Sequence, residues 1–97
     1  MTSSIDVIVM PRARSQIADI LQYTLKQWGT GQRDSYEQIL YAAFERLGAF
    51  PDLGHRADGK PSNIRVYHLE HHNIVYRREP ERIVILRIVS MRRGKQM

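Results

Sequence analysis

The chain has 97 residues with 15 Lys+Arg, 10 Asp+Glu and no Cys, and a formal net charge of +5. That length fits one domain over residues 1–97; a hydrophobic content of 42% argues against general disorder, and the lack of Cys excludes a disulfide framework and any thiolate metal site while permitting a reducing cytosol. The longest apolar runs, Val7 to Met10 and Ile83 to Leu86, are too short to span a membrane, and the N-terminus has neither a basic n-region nor a long apolar h-region, so a cytoplasmic chain with no membrane contact is expected.

Ile5 to Met10 is a short run rich in β-branched residues and reads as a strand. Pro11 fits the first position of a helix, where its missing N–H costs nothing, and Ala13, Ile17, Ile20, Leu21, Leu25 and Trp28 then recur at helical spacing. Gly29 and Gly31 end that helix. A second opens at Thr30 or Gly31, with Tyr36, Leu40, Ala43, Phe44 and Leu47 as its apolar positions, and Pro51 stops it. Two helices joined by about three residues pack antiparallel as a hairpin. Trp28, Tyr36 and Phe44 lie on its seam and are expected in the core, whereas Tyr23 and Tyr41 fall off it.

Residues 51–63 hold two Pro and two Gly and read as an irregular loop. Three strands follow, at about 64–69, 73–78 and 82–90, joined by the short turns Glu70-His71-His72 and Glu79-Pro80-Glu81, hence an antiparallel meander. The last strand is apolar on both faces. Strict alternation puts Val84, Leu86 and Ile88 on one face and Ile83, Ile85 and Val89 on the other, with Arg87 interrupting the second set. The order β-α-α-β-β-β gives an α+β fold: an antiparallel sheet with a helical hairpin packed on one face.

The charge is unevenly placed. Residues 1–55 hold five basic and six acidic residues, a net of −1; residues 56–97 hold ten and four, a net of +6. The basic set is mainly arginine and falls on or beside the meander: Arg65, Arg77, Arg78, Arg82, Arg87, Arg92 and Arg93. Arginine suits bidentate recognition of phosphate or carboxylate. An unpaired buried guanidinium is costly, so Arg87 is either exposed on a functional face or paired, for example with Asp6 on the first strand. No Gly-rich phosphate loop or nucleophile elbow is present. His68, His71 and His72 are the one metal candidate. Adjacent His71 and His72 point apart in a tight turn and no carboxylate completes a set, so neither metal nor cofactor is expected.

Several short motifs, in order, resemble a known family. Pro11-x-Ala13, Tyr23 with Trp28-Gly29, and Phe50-Pro51-x-Leu53-Gly54 are followed by Ile64-Arg65-Val66-Tyr67, Ile74-Val75-Tyr76-Arg77, Ile83 to Val89 and Arg92-Arg93. Together these look like the ParE branch of the RelE/ParE toxins, over about residues 5–94. The resemblance implies a type II toxin–antitoxin system, a β-α-α-β-β-β fold, and a ParD-like antitoxin that wraps the toxin in a hetero-oligomer. ParE toxins poison DNA gyrase and block replication, and DNA would be met only through gyrase or the antitoxin. RelE toxins instead cut mRNA on the ribosome, chemistry that needs a base, an acid and cations around the phosphate. At the matching positions Arg65 keeps one basic residue, Tyr67 stands for a second, Asn73 replaces an arginine, and Gly94 falls near the arginine after the last strand, with Arg92 and Arg93 close by. Many ParE members have His where this chain has Ser90.

The expected function is therefore gyrase inhibition by binding, with no active site and with Arg65, Arg87, Arg92, Arg93 and the tail Gly94 to Met97 as target contacts. A RelE-like ribonuclease using Arg65, Tyr67 and Arg92 or Arg93 is the alternative, and a plain binding domain the third reading. Leu21, Leu25, Tyr41 and Phe44 are candidate antitoxin contacts, each equally a candidate for the core.

Overall fold

The computed structural model describes residues 4–90. Its elements are β1 (Asp6–Val9), α1 (Pro11–Trp28), α2 (Thr30–Ala49), β2 (His55–Arg56), β3 (Ile64–Leu69), β4 (His72–Glu79) and β5 (Arg82–Ser90). The α+β architecture and the meander are as expected. The sheet, however, is mixed and five-stranded, in the order β1-β5-β4-β3-β2. β1 pairs parallel with β5, Asp6 opposite Arg82 through Val9 opposite Ile85, because the helical hairpin is a crossover that returns the chain to the sheet. Two residues of the expected loop, His55 and Arg56, pair with β3 and form the far edge.

Pro11 occupies the first turn of α1, and Met10 at the cap makes no side-chain bond to the free N–H groups. The helices are separated by Gly29 alone, at φ 91, a left-handed value that a side chain would resist. Its N–H closes α1 on the Leu25 carbonyl at 2.9 Å, and its own carbonyl accepts from Arg33 N at 3.1 Å to open α2. One residue thus serves as both stop and start.

The core lies between the hairpin and one sheet face. It is built from Ala13, Ile17 and Leu21 of α1, Tyr36, Leu40, Ala43, Phe44 and Leu47 of α2, and Ile74, Tyr76, Ile83, Ile85 and Ile88 of the sheet. Ile85 and Ile88 both reach this core although they differ in parity. The reason is a bulge: Tyr76 faces Ile85 while Val75 faces Arg87, so Leu86 is the extra residue on β5. The strict alternation expected for β5 therefore fails. Past Leu86, Ile88 points to the helices, and Arg87 shares the opposite face with Val75 and Val84, not the face of Ile85. Beyond Val9 the first strand has turned into α1 and β5 loses its parallel neighbour; Gln16 of α1 replaces it, its Oε1 accepting from Ile88 N at 2.7 Å.

The same register sorts the other meander residues. Arg65, Tyr67, Ile74, Tyr76 and Arg78 lie on the helix side of the sheet. Ile8, Val66, His68, Val75, Arg77, Val84 and Arg87 lie on the outer side.

Candidate functional site

Three regions bring chemistry-bearing side chains together. The first is a groove where the last turns of α1 and the start of α2 extend past the sheet. Ile20, Tyr23, Trp28 and Tyr36 give it an apolar lining, and Asp19 and Glu70 put acids at its edge; its volume is about 760 Å³. Tyr23 is 59% exposed and Trp28 71%. Trp28 was expected in the core and is not. Helical periodicity aligns it with Leu21, but the sheet that covers Leu21 does not reach the end of α1. Across the groove the β3–β4 turn holds Glu70 at φ 44, an uncommon value for a residue with a side chain.

A polar pair lies against this groove. The Tyr36 hydroxyl is 2.6 Å from His72 Nδ1, and the rings are tilted with centroids 5.5 Å apart. Burial, and then the charge of Glu70, pushes the Tyr36 phenol up to about 12. Burial, and then neighbouring His71, lowers His72 below the usual histidine value. Both shifts favour the neutral forms, and a neutral phenol and imidazole can share one hydrogen bond between the hydroxyl and Nδ1. His72 was weighed with His68 and His71 as a metal candidate and read as a turn residue. Its half-buried position opposite Tyr36 had no signal in local sequence.

The second region surrounds Phe50-Pro51-x-Leu53-Gly54. Arg65 Nε donates to the Gly54 carbonyl at 2.7 Å, and its terminal nitrogen to the Asp52 carbonyl at 3.1 Å. The fully buried Tyr76 donates its hydroxyl to the Pro51 carbonyl at 2.8 Å and accepts from Gly54 N at 3.0 Å. Arg78 Nε reaches Asp52 Oδ1 at 2.9 Å. Arg46 donates to the Tyr67 hydroxyl at 3.1 Å. Arg65, expected as a target contact, holds this loop, and it shares the helix side of β3 with Tyr67.

The third region is the outer sheet face. Glu79 takes Arg77 at 2.7 Å and Arg82 at 3.6 Å. Arg87 has no such carboxylate among the described residues, and of its two alternatives the pair with Asp6 is not formed, since the bulge and the parallel register set Asp6 opposite Arg82 instead. Arg87 lines a second hollow of about 540 Å³ with Arg12 and Lys60. It is separated from Arg65 by the thickness of the sheet. Arg92, Arg93 and the tail from Gly94 lie outside the described residues. Of the four candidate antitoxin contacts, Leu21 and Phe44 are in the core, while Leu25 at 43% and Tyr41 at 47% are exposed. His68 bonds Asn73 and stacks near His55 on the outer face, away from His72; among the described residues no three His, Asp or Glu side chains gather where they could hold a metal ion.

This fold is shared with protein chains from toxin–antitoxin systems. A chain of the chromosomal ParDE system from P. aeruginosa superimposes with a TM-score of 0.77 at 16% identity, covering 92% of this chain and 98% of that one. A chain of the RelBE2 toxin–antitoxin complex from Mycobacterium tuberculosis gives 0.67 at 17% identity, covering 90% and 98%. No curated protein matches the sequence. The family described as "ParE toxin of type II toxin-antitoxin system, parDE" matches residues 7–94, and the chain belongs to that family. No helix among the described residues is long and apolar enough to cross a membrane.

Proposed function

We propose that this toxin acts by binding DNA gyrase and carries no catalytic site of its own. The observation that supports this most is the way its arginines are used. Arg65 is tied to two loop carbonyls, Arg77, Arg78 and Arg82 to carboxylates, and Arg87 stands on the opposite side of the sheet from Arg65 and Tyr67. Cleavage of RNA needs a base, an acid and cations converging on one phosphate. Of the residues expected for that chemistry, Arg65 and Tyr67 share a face but are already engaged, Arg65 by the Gly54 and Asp52 carbonyls and Tyr67 by Arg46, and Arg92 and Arg93 lie outside the described residues. Purified toxin is expected to lower gyrase supercoiling and trap cleaved DNA; no effect at stoichiometric excess refutes the proposal. The similarity to a RelBE2 chain and the shared face of Arg65 and Tyr67 favour a second reading, a ribosome-dependent ribonuclease. Primer extension on cellular transcripts decides it, since intact messages during toxin action exclude cleavage.

We further propose that an antitoxin of the ParD kind lays an apolar segment into the groove of Tyr23, Trp28 and Tyr36. Two exposed aromatic rings beside a pocket are the usual anchors of a tight interface. The acids at its edge favour a segment that is neutral or basic at this point.

A further inference from the structure

We infer that the outer-face hollow at Arg87 is a docking site for a target-protein segment that alternates carboxylate and aliphatic side chains. Arg12 from the start of α1, Lys60 from the β2–β3 loop and Arg87 from β5 bring three positive charges to its wall. None of the three is paired with a carboxylate among the described residues, whereas Arg77 and Arg82 on the same face share Glu79. The first turn of α1 has no acidic residue, so the helix end adds to the positive potential where these cations meet. Like charges held together in this way repel one another until an anion enters.

The floor decides which anion. Met10, Ile64, Val75 and Leu86 make it apolar. Among the described residues no aromatic side chain lines it to stack a base, and no side-chain amide to read a base edge, which are the features a nucleic-acid groove uses. Cations at the rim over an aliphatic floor match a peptide in which Glu or Asp alternates with Leu or Ile. The hollow takes Pro11 and Arg12 from the start of α1 and the aromatic groove takes Asp19 to Trp28 from its second half, so their centres lie roughly 18 Å apart along the helix at 1.5 Å per residue. A partner seated in the groove therefore leaves the hollow open, and its rim of cations is the complement of the groove's acidic edge. This assigns the hollow to the target and the groove to the antitoxin.

The inference rests on the reading of the protein as a toxin that acts by protein contact, which the supercoiling assay tests separately. The direct test is a titration of the full chain, isotope-labelled, with a capped hexapeptide of alternating Glu and Leu. Amide signals of Arg12, Ile64, Leu86 and Arg87 are expected to move, and Arg87→Gln or the loop variant Lys60→Gln to weaken binding roughly tenfold or more. The same shifts are expected when the antitoxin is bound. The inference is overturned if a Lys/Leu hexapeptide binds equally well, if oligo-dT binds the hollow more tightly than the peptide, if the shifts map elsewhere, or if the antitoxin blocks them.

Discussion

Gly54→Ala is the sharpest perturbation of the loop that Arg65 and Tyr76 hold. A Cβ at this position would lie 2.7 Å from the Val66 carbonyl oxygen and 2.9 Å from both Cε1 and the hydroxyl of Tyr76. Ordinary contact begins at 3.4 Å, so the backbone or ring must retreat by several tenths of an ångström. Neither yields easily. Val66 is paired on both sides, with His55 and Val75, and Tyr76 is fully buried. Overpacking of this kind costs about 1–3 kcal/mol. Displacing the phenol also weakens its bonds to Gly54 and Pro51, about 1 kcal/mol each. A total loss of about 2–4 kcal/mol is expected, which for a domain of this size lowers Tm by roughly 10–30 °C. Thermal and urea unfolding followed by circular dichroism measure it. Tyr76→Phe removes the same hydrogen bonds, so the double variant should cost less than the sum of the singles. Gly31→Ala, where a Cβ meets nothing within 4 Å, serves as the control and should be neutral or slightly stabilising. A Gly54→Ala protein within about 0.5 kcal/mol of the parent, or strict additivity with Tyr76→Phe, would refute the close-approach argument.

Arg65→Gln removes two charge-assisted bonds to loop carbonyls and should destabilise by about 1–3 kcal/mol, with toxicity falling only as the folded fraction falls; lost toxicity at full stability would return Arg65 to the target surface. Trp28→Ala should weaken antitoxin binding by about 2 kcal/mol, near thirtyfold by calorimetry, and leave Tm unchanged because the ring is 71% exposed. Tyr36→Phe leaves a half-buried imidazole nitrogen without its partner and should cost about 1–2 kcal/mol in urea unfolding. His72 has its folded pKa below the unfolded value of 6.5, so the unfolded chain binds the proton first. Stability is then full above about pH 6.5 and declines as pH falls toward the lower folded value; His72→Asn should flatten that part of a Tm–pH profile.

Much of the fold was legible because it rests on periodicity and punctuation. The helical repeat from Ala13 to Leu21, Gly29 between the helices and the tight turns before β4 and β5 act locally, so local reading finds them. The parallel partner of β1 was not visible, since nothing in Ile5 to Met10 distinguishes one neighbour from another until the hairpin sets the direction of return. Nor was the bulge at Leu86, where an aliphatic residue suits either face. That single slip misplaced Arg87. The site was read less well for a related reason. Arginine content identified the basic half correctly, but whether a guanidinium holds a loop, as at Arg65, or stands free depends on carbonyls and carboxylates distant in sequence. Trp28 misled because periodicity says which side of a helix faces inward, not where the covering sheet ends.

The parallel pairing of β1 with β5 has a consequence for how the toxin is made. Asp6 to Val9 leave the ribosome 76 residues before their partners Arg82 to Ile85. Contacts of such high sequence separation form late, and the hairpin between them has no sheet to cover until β4 and β5 exist. The nascent chain thus carries α1 and α2 with their apolar seam open until β4 and β5 emerge. The surface that joins helices and sheet is therefore complete only once β5 has paired with β1.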